Sequence, residues 1–424
     1  MEPGEIINYG DDAGNGGNAG ISELELHAVL NSREKLPFNE MKKTHIGFYP
    51  ACFYQVHKLL SKTFANSFQY GKSMSSSNLM KGNLMKKILL SAVAAAAALS
   101  FSHAAVAGAV LDKVKKDGVV VCGVNTAAPG FSNADSQGKW TGLDVDYCRA
   151  LAAAVLGDAN KVKFVPLSSP QRFSALQAGE IDVLARNTTW NLTRDASLGA
   201  VFIGTIYYDG QGFLVPKKLG VKSVNELNGA TICVQSGTSS EPSVADYFKA
   251  HNMKYKAVVF DTTEATQGAF LSGRCQVYTT DMSDLAGART KAPNPDDYVI
   301  LPEVISKEPL GPSVRRGDNE WFQICRWVLN ALIEAEEYGI TQDNVDQVKK
   351  TSTNPNVQRL VGSGEDMGKL LGLDKDWSYR IIKQVGNYGE SFEKNLGPKT
   401  PLALPRGVNN QWTKGGILYA PPVR

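Results

Sequence analysis

Residues 119–158 read VVVCGVNTAAPGFSNADSQGKWTGLDVDYCRALAAAVLGD, and this stretch decides the fold class. Val119 to Val124 are apolar and rich in β-branched residues, the composition of a buried strand. Thr126 to Gly138 are crowded with Pro, Gly, Asn, Ser and Asp, which makes them a loop. Gly142 then introduces a helix over Leu143 to Leu156. A second strand follows, Lys161 to Leu167. A strand that returns to another strand through a helix implies a parallel crossover.

The same rhythm continues outward. Upstream, Ala109 to Asp117 reads as a helix stopped by Gly118. Downstream, Pro170 to Gly179 is a helix with Gly179 as its stop, Ile181 to Ala185 a strand, and Arg186 to Asp195 (RNTTWNLTRD) a loop running into a helix N-terminus. A second cycle begins at the strand Ala230–Gln235. A polar turn, SGTSSE at 236–241, leads into a helix over Pro242–Ala250. Strand Tyr255–Phe260, helix Thr263–Gly273, strand Gln276–Thr280 and helix Met282–Lys291 complete it. The fold class is therefore α/β, in two lobes, each with its own open sheet. Ligands of such sheets sit at the carboxyl ends of strands, which singles out Arg186–Asp195, Ser236–Glu241 and Asp281.

Two extended segments, 207–217 and 301–314, separate the lobes and read as crossings of a hinge that lets them close on a ligand. Lobe 1 then spans 108–206 and is completed by 315–424, while lobe 2 spans 218–300. The tail after the second crossing is helical, with helices over Glu320–Tyr338, Thr341–Lys350 and Asp376–Tyr388.

The 424 residues allow about two to four domains, and 43% hydrophobic with 21% charged excludes a disordered chain. Lys+Arg 45 against Asp+Glu 42 is too balanced for a nucleic-acid binder. The mean hydropathy of -0.21 excludes a polytopic membrane protein. Residues 85–107, MKKILLSAVAAAAALSFSHAAVA, carry two lysines, an apolar run from Ile88 to Phe101 and a small-x-small end at Ala105–Ala107, the anatomy of a secretory signal peptide. The run is shorter than the ~20 residues of a membrane-spanning helix. Export to the periplasm is expected, with translation starting at Met85. Residues 1–84, Gly/Asn-rich at the start and Ser/Asn-rich at the end, are then a non-native or disordered extension.

Beyond the signal segment five cysteines remain. Cys122 lies in a strand and Cys148 in the next helix; Cys233 lies in a strand and Cys275 at the start of another. Local, congruent placement favours disulfides Cys122–Cys148 and Cys233–Cys275, and an oxidising compartment permits them. Cys325, on the apolar helix WFQICRWVL, reads as a buried free thiol. The cysteines show no CxxC or metal-ligand spacing and His251 is the sole histidine left, so neither a metal site nor a His-based triad is expected. No cofactor is implied.

Several segments carry a resemblance. GLDVDYCRALAAAVLGD at 142–158, QAGEIDVLARNTTWNLTRDASLG at 177–199, YYDGQGFLV at 207–215, GRCQVYTTDMSDL at 273–285, ISKEPLGP at 305–312 and the final GGILYAPPVR resemble the polar amino-acid periplasmic binding proteins of ABC transporters, solute-binding protein family 3. Within them the chain is similar to the broad-specificity general L-amino-acid binders. The resemblance implies a type II two-lobed binding protein. Its expected partners are an L-amino-acid ligand and an inner-membrane permease served by a separate ATPase subunit, the protein itself being a monomer.

By the same resemblance Arg194 clamps the ligand α-carboxylate, as a guanidinium fork pairs two oxygens. Asn187 and Thr189 supply polar groups from that loop. Thr238 offers a backbone N–H to the carboxylate at a helix start, where anions are favoured. Asp281 takes the α-ammonium group. From residue chemistry alone each has a plainer use: Arg194 paired with Asp195, Asp281 capping the helix at Met282, Thr238 an ordinary turn residue. Asp144 and Asp146 suit the start of a helix and read as structural. Family members often cover the ligand with an aromatic ring near Ala128; here Phe131 or Trp190 would have to serve, and the small residue suggests a roomier pocket. The rival readings are a dehydratase on the same fold, which needs a general acid or base for which Glu241 is the one nearby candidate, and a ligand-sensing receptor module. GSGEDMGKL at 362–370 has Ser363 where a phosphate loop needs Gly, which leaves ATP hydrolysis to another subunit.

Overall fold

The computed structural model describes residues 108–424; the expected signal segment 85–107 and the expected extension 1–84 lie outside the described residues. Helix α1 (Ala109–Asp117) leads into strand β1 (Val120–Val124), whose apolar side chains place it at the heart of the first sheet. Strands β5 (Val162–Pro166) and β6 (Val183–Leu184) pair with it in parallel, Cys122 facing Phe164 on one side and Val183 on the other. Helices α2 (Leu143–Leu156) and α3 (Arg172–Ala178) make the crossovers. Two short antiparallel strands, β7 (Ala200–Phe202) and β14 (Ser313–Arg315), complete the order β5-β1-β6-β14-β7. The expected loop after β1 holds a small antiparallel sheet of β2 (Ala127–Ala128), β3 (Ser132–Ala134) and β4 (Trp140–Thr141). Strands of two or three residues are too short to carry a period-2 pattern.

The second sheet is built around β9 (Thr231–Gln235), parallel to β10 (Lys256–Phe260) and β11 (Val277–Asp281). Helices α4 (Ser240–Ala250), α5 (Thr263–Leu271) and α6 (Met282–Thr290) connect them. The long strand β8 (Tyr207–Pro216) runs antiparallel to β11 and also pairs with β12 (Tyr298–Ile300) and β13 (Ser306–Leu310). Most of 207–217 therefore belongs to the second sheet, because its apolar stretch Phe213–Val215 is fully buried in that core. The chain passes from sheet to sheet only at 203–206 and 311–312. The two passages touch: a Cβ on Gly311 would lie 2.1 Å from the carbonyl oxygen of Gly204. Only glycine allows that approach.

The tail packs on the first lobe as α7 (Asn319–Glu337), α8 (Val345–Thr351), α9 (Pro355–Leu360), α10 (Trp377–Val385) and α11 (Tyr388–Asn395). Asp318 caps α7 by accepting the Trp321 N–H at 2.9 Å. The helix expected over 376–388 ends at Val385, and Asn387 with Glu390 forms a capping box that starts α11. One apolar core joins tail and lobe through the buried Tyr147, Trp321 and Trp377. The Trp321 indole donates to the Asp182 carbonyl at 2.8 Å and the Tyr147 hydroxyl to the Cys325 carbonyl at 3.0 Å. Truncating such a tryptophan to alanine costs about 3–5 kcal/mol.

Both expected disulfides are present, with Cα separations of 6.3 Å for Cys122–Cys148 and 5.6 Å for Cys233–Cys275, and Cys325 is a buried free thiol. Each bridge lies inside one lobe. Among the described residues no helix is long and apolar enough to cross a membrane, and no group of His, Cys, Asp and Glu is placed to hold a metal ion.

Candidate functional site

The carboxyl ends of β5, β6, β9 and β11 converge on a cavity between the lobes. From the first lobe its wall takes Asn125, Ser169, Arg172, Arg186, Asn187, Thr189 and Arg194. The second lobe contributes Gln235, Thr238, Ser239, Ser240, Thr280, Asp281 and Asp284. Every wall residue is polar or charged. Five of the expected ligand residues thus meet in one cavity: Arg194, Asp281, Asn187, Thr189 and Thr238.

Arg194 sits in a single π-helical turn, Thr193–Ser197, and is 6% exposed. Its Nη1 donates to the Thr189 carbonyl at 2.8 Å, and its guanidinium lies 5.6 Å from the Phe173 ring. The plain alternative of a pair with Asp195 is not what forms: Asp195 lies 3.8 Å from Arg316 and accepts from the Trp190 indole at 3.2 Å. Burial lowers the Arg194 pKa, and the carboxylates of Glu308 and Asp281 oppose that shift.

Asp281 ends β11 at the position before α6, yet its side chain caps nothing. Burial first, then the nearby Asp209, Asp284 and Glu308 carboxylates, hold its pKa well above the usual carboxylate range. Asp284, one turn on, is pushed up to about 6 by burial, against the pull of Arg186. Its Oδ2 accepts from Asn187 Nδ2 at 3.1 Å, and its Oδ1 is buried without a partner. Among the described residues Arg172, Arg186, Arg194, Asp281 and Asp284 form no ion pair within 4.0 Å. A cavity that sets unpaired guanidinium groups opposite carboxyl groups that a nearby cation would ionise suits a ligand that carries both signs, because a buried charge without a counter-charge is costly.

Asn187 has a left-handed backbone, φ 35°, and the buried Asp144 holds it there by accepting its N–H at 2.7 Å. Asp144 is pushed up to about 7 by burial. Thr238 donates its hydroxyl to the Gln235 carbonyl at 2.7 Å, fixing the turn before α4. The first N–H groups of α4 have no intrahelical acceptor and open beside Ser239 and Ser240 on the wall.

The lobes are in contact around the cavity. Hydrogen bonds cross from lobe to lobe, among them Asn187 to Asp284, the Thr189 hydroxyl to Glu308 at 2.6 Å, Arg172 Nη2 to the Gly237 carbonyl at 3.1 Å, Lys291 Nζ to the Ala127 carbonyl at 3.3 Å and the Thr263 hydroxyl to Asn125 Oδ1 at 3.4 Å. This is the closed arrangement of two lobes on one compartment.

The model of the bacterial extracellular solute-binding proteins, family 3, matches residues 120–344. The chain belongs to that family. The chain is 54% identical over 342 residues to the general L-amino acid-binding periplasmic protein AapJ of Rhizobium johnstonii, covering 80% of this chain and 100% of the relative. It is 53% identical to the glutamate/glutamine/aspartate/asparagine-binding protein BztA of Rhodobacter capsulatus, covering 76% and 95%. A solved ABC-transporter periplasmic binding protein from Brucella ovis, with glutathione bound, is 55% identical and superimposes with a TM-score of 0.73 over 74% of this chain and 99% of that one.

Two expected residues of this family 3 protein stay away from the cavity. Phe131 is fully buried and packs edge-on against Tyr207, ring centres 5.3 Å apart. Trp190 is 39% exposed and stacks on Phe202 at 5.8 Å. Neither is on the wall, and no aromatic ring replaces them there. Conversely, Arg172, Asp284 and Gln235 lie outside the segments singled out, and Arg186 and Ser239 lie inside them without having been named as ligand residues. Arg186 follows a strand directly, Arg172 follows the end of β5, and Asp284 is one helical turn from Asp281 in DMSD. The strand-end rule reaches Gln235 directly, and Arg172 and Asp284 only when it is extended into the first turn of the following helix.

Proposed function

We propose that this protein captures L-amino acids in the periplasm and hands them to an inner-membrane ABC permease. The observation that carries the reading is the meeting of Arg194 and Asp281, one from each lobe, in one closed cavity without a counter-charge of their own. Arg194 then clamps the α-carboxylate, with the start of α4 beside Thr238 as second anion holder. Asp281 takes the ammonium group, and Thr189 and Asn187 complete the polar cage. The two lobes, 108–202 with 313–424 and 207–310, rotate about the linking segments at 203–206 and 311–312. Export proceeds through the signal segment 85–107, the ATPase is a separate subunit, and the protein works as a monomer without catalysis.

An all-polar wall sharpens the substrate class. An aromatic or branched aliphatic side chain would gain no apolar partner there, while the wall's own polar groups would lose water. The reading therefore favours amino acids with polar or acidic side chains over Leu and Phe, within a broad range. The names of AapJ and BztA agree with it. The Brucella relative adds glutathione, whose γ-glutamyl end carries a free amino-acid head, as a candidate.

A thermal-shift panel tests this with Glu, Gln, Asp, Asn, Leu, Phe and glutathione. A ligand at a hundred times its Kd stabilises the form it binds by about 2.7 kcal/mol. Raised melting points for the polar members support the reading. No shift with any member removes it, and a larger shift with Leu or Phe removes the substrate preference.

A further inference from the structure

Glu308 is buried at 1% exposure on β13, three residues before the chain passes back to the first lobe. Its carboxylate has no ion pair among the described residues. It is held by hydroxyl groups alone. Oε2 accepts from Thr189 of the first lobe at 2.6 Å and from Ser239 of the second at 2.7 Å, while Oε1 accepts from Ser306. Thr189 and Ser239 lie 3.0 Å from each other and both line the cavity.

We propose that Glu308 is the closure latch of the cleft and fixes which ligand groups Thr189 and Ser239 can meet. This rests on the amino-acid-binding reading above. A hydroxyl has one hydrogen to give. Thr189 and Ser239 spend theirs on Glu308, so only lone pairs remain for the cavity. Both hydroxyls then accept from an ammonium group and cannot donate to a carboxylate. Opening the lobes must separate Thr189 from Ser239, which removes at least one hydroxyl from a buried carboxylate. Hydrogen bonds to a charged group are stronger than neutral ones, so the carboxylate favours the closed state. Glu308 is a positioning residue: it acts through Thr189 and Ser239.

The test is Glu308→Gln, with release followed by stopped flow using glutamine and glutamate as probes. The latch exists only when the lobes are closed, so release should speed up roughly ten- to hundredfold with little change in association rate. The amide can donate to Thr189 and Ser239 and free their hydrogens. Discrimination between glutamate and its deaminated analogue glutarate should therefore narrow. Ser306→Ala, which removes a bond within the second lobe, should leave release near the wild-type rate. Ser239→Ala should speed release, and it serves in place of Glu308→Gln if that variant fails to fold. Unchanged release in a folded Glu308→Gln, or a slowed association rate instead, overturns the latch. If the wild type binds neither probe, the amino-acid reading falls. The latch is then judged by the distance between spin labels, one on each lobe: an unchanged closed fraction in the variant overturns it, a reduced one supports it.

Discussion

Asn187 Nδ2 donates to Asp284 Oδ2 across the cleft at 3.1 Å, and the same Asn187 holds a backbone φ of 35°. One residue thus does two separable jobs: it tolerates a left-handed turn, and it ties the lobes beside the cavity. Asn187→Ala loses both, since an L-residue with a Cβ and no local hydrogen bond pays roughly 1–2 kcal/mol there. Asn187→Gly restores the backbone freedom but not the tie. The melting temperature should therefore fall further in Asn187→Ala than in Asn187→Gly, while calorimetry should show both variants binding ligand more weakly. Equal melting points would show that the turn is unstrained.

Arg194 and Asp281 are the pair on which capture depends. Removing one member leaves a ligand charge unpaired in a closed cavity, a loss of about 2–5 kcal/mol when a buried charge loses its partner. Arg194→Lys keeps the charge but not the planar fork, and should recover only part of the loss of Arg194→Ala. Asp281→Asn is nearly isosteric and caps nothing in the parent, so it should fold and bind poorly. Titrations like the wild type for Arg194→Ala or Asp281→Asn would reject the assignment.

The repeating strand–helix cycle made the parallel strands of both sheets legible, because crossovers of ten or more residues leave a period to read, whereas the antiparallel strands that complete the sheets follow no such cycle. The disulfides were legible for the same reason, since each joins neighbouring elements of one lobe. Arg194, Asp281, Asn187, Thr189 and Thr238 were singled out through strand ends and family motifs together, and the fold gathers them on one cavity wall. Phe131 and Trp190 were misplaced because an aromatic residue near a binding loop fits a core or a surface stack equally well. Tyr207, which packs on Phe131, comes from a distant strand, and Phe202, which stacks on Trp190, from a three-residue strand that the sequence pattern does not reveal. Glu308 was invisible for a related reason: beyond Ser306 on its own strand, its donors Thr189 and Ser239 come from two distant segments that meet it only in the folded molecule.

The two disulfides should affect stability and spare the cleft. Their sequence separations of 26 and 42 residues correspond to about 3–4 kcal/mol each in the chain-entropy model. Cys122→Ala with Cys148→Ala, or Cys233→Ala with Cys275→Ala, should lower the urea midpoint. Ligand affinity should stay near wild type, because neither bridge spans the lobes. Burial pushes the Cys325 thiol well up, so in a chain beginning at Gly108 a thiol reagent should label it only after denaturation. A thiol that reacts in the folded protein would contradict its burial.

The pH dependence follows from carboxyl groups whose pKa burial raises: Asp144 and Asp209 to about 7, Asp284 to about 6, and Asp281 well above the usual carboxylate range. Unfolded, these groups ionise near 4. Between those values the folded state binds more protons, so unfolding releases protons and rising pH favours it. Their protonated forms support the fold fully below about pH 4, and that support fades as pH climbs through 6 and 7. The unliganded protein should therefore show a lower urea midpoint at pH 8 than at pH 5. Ligand reverses the balance at Asp281, because an ammonium group beside it favours the ionised form. Binding near pH 6.5 should release protons, and affinity should rise with pH. Calorimetry in buffers of different ionisation enthalpy reads the sign directly, and proton uptake on binding would place the ammonium group away from Asp281.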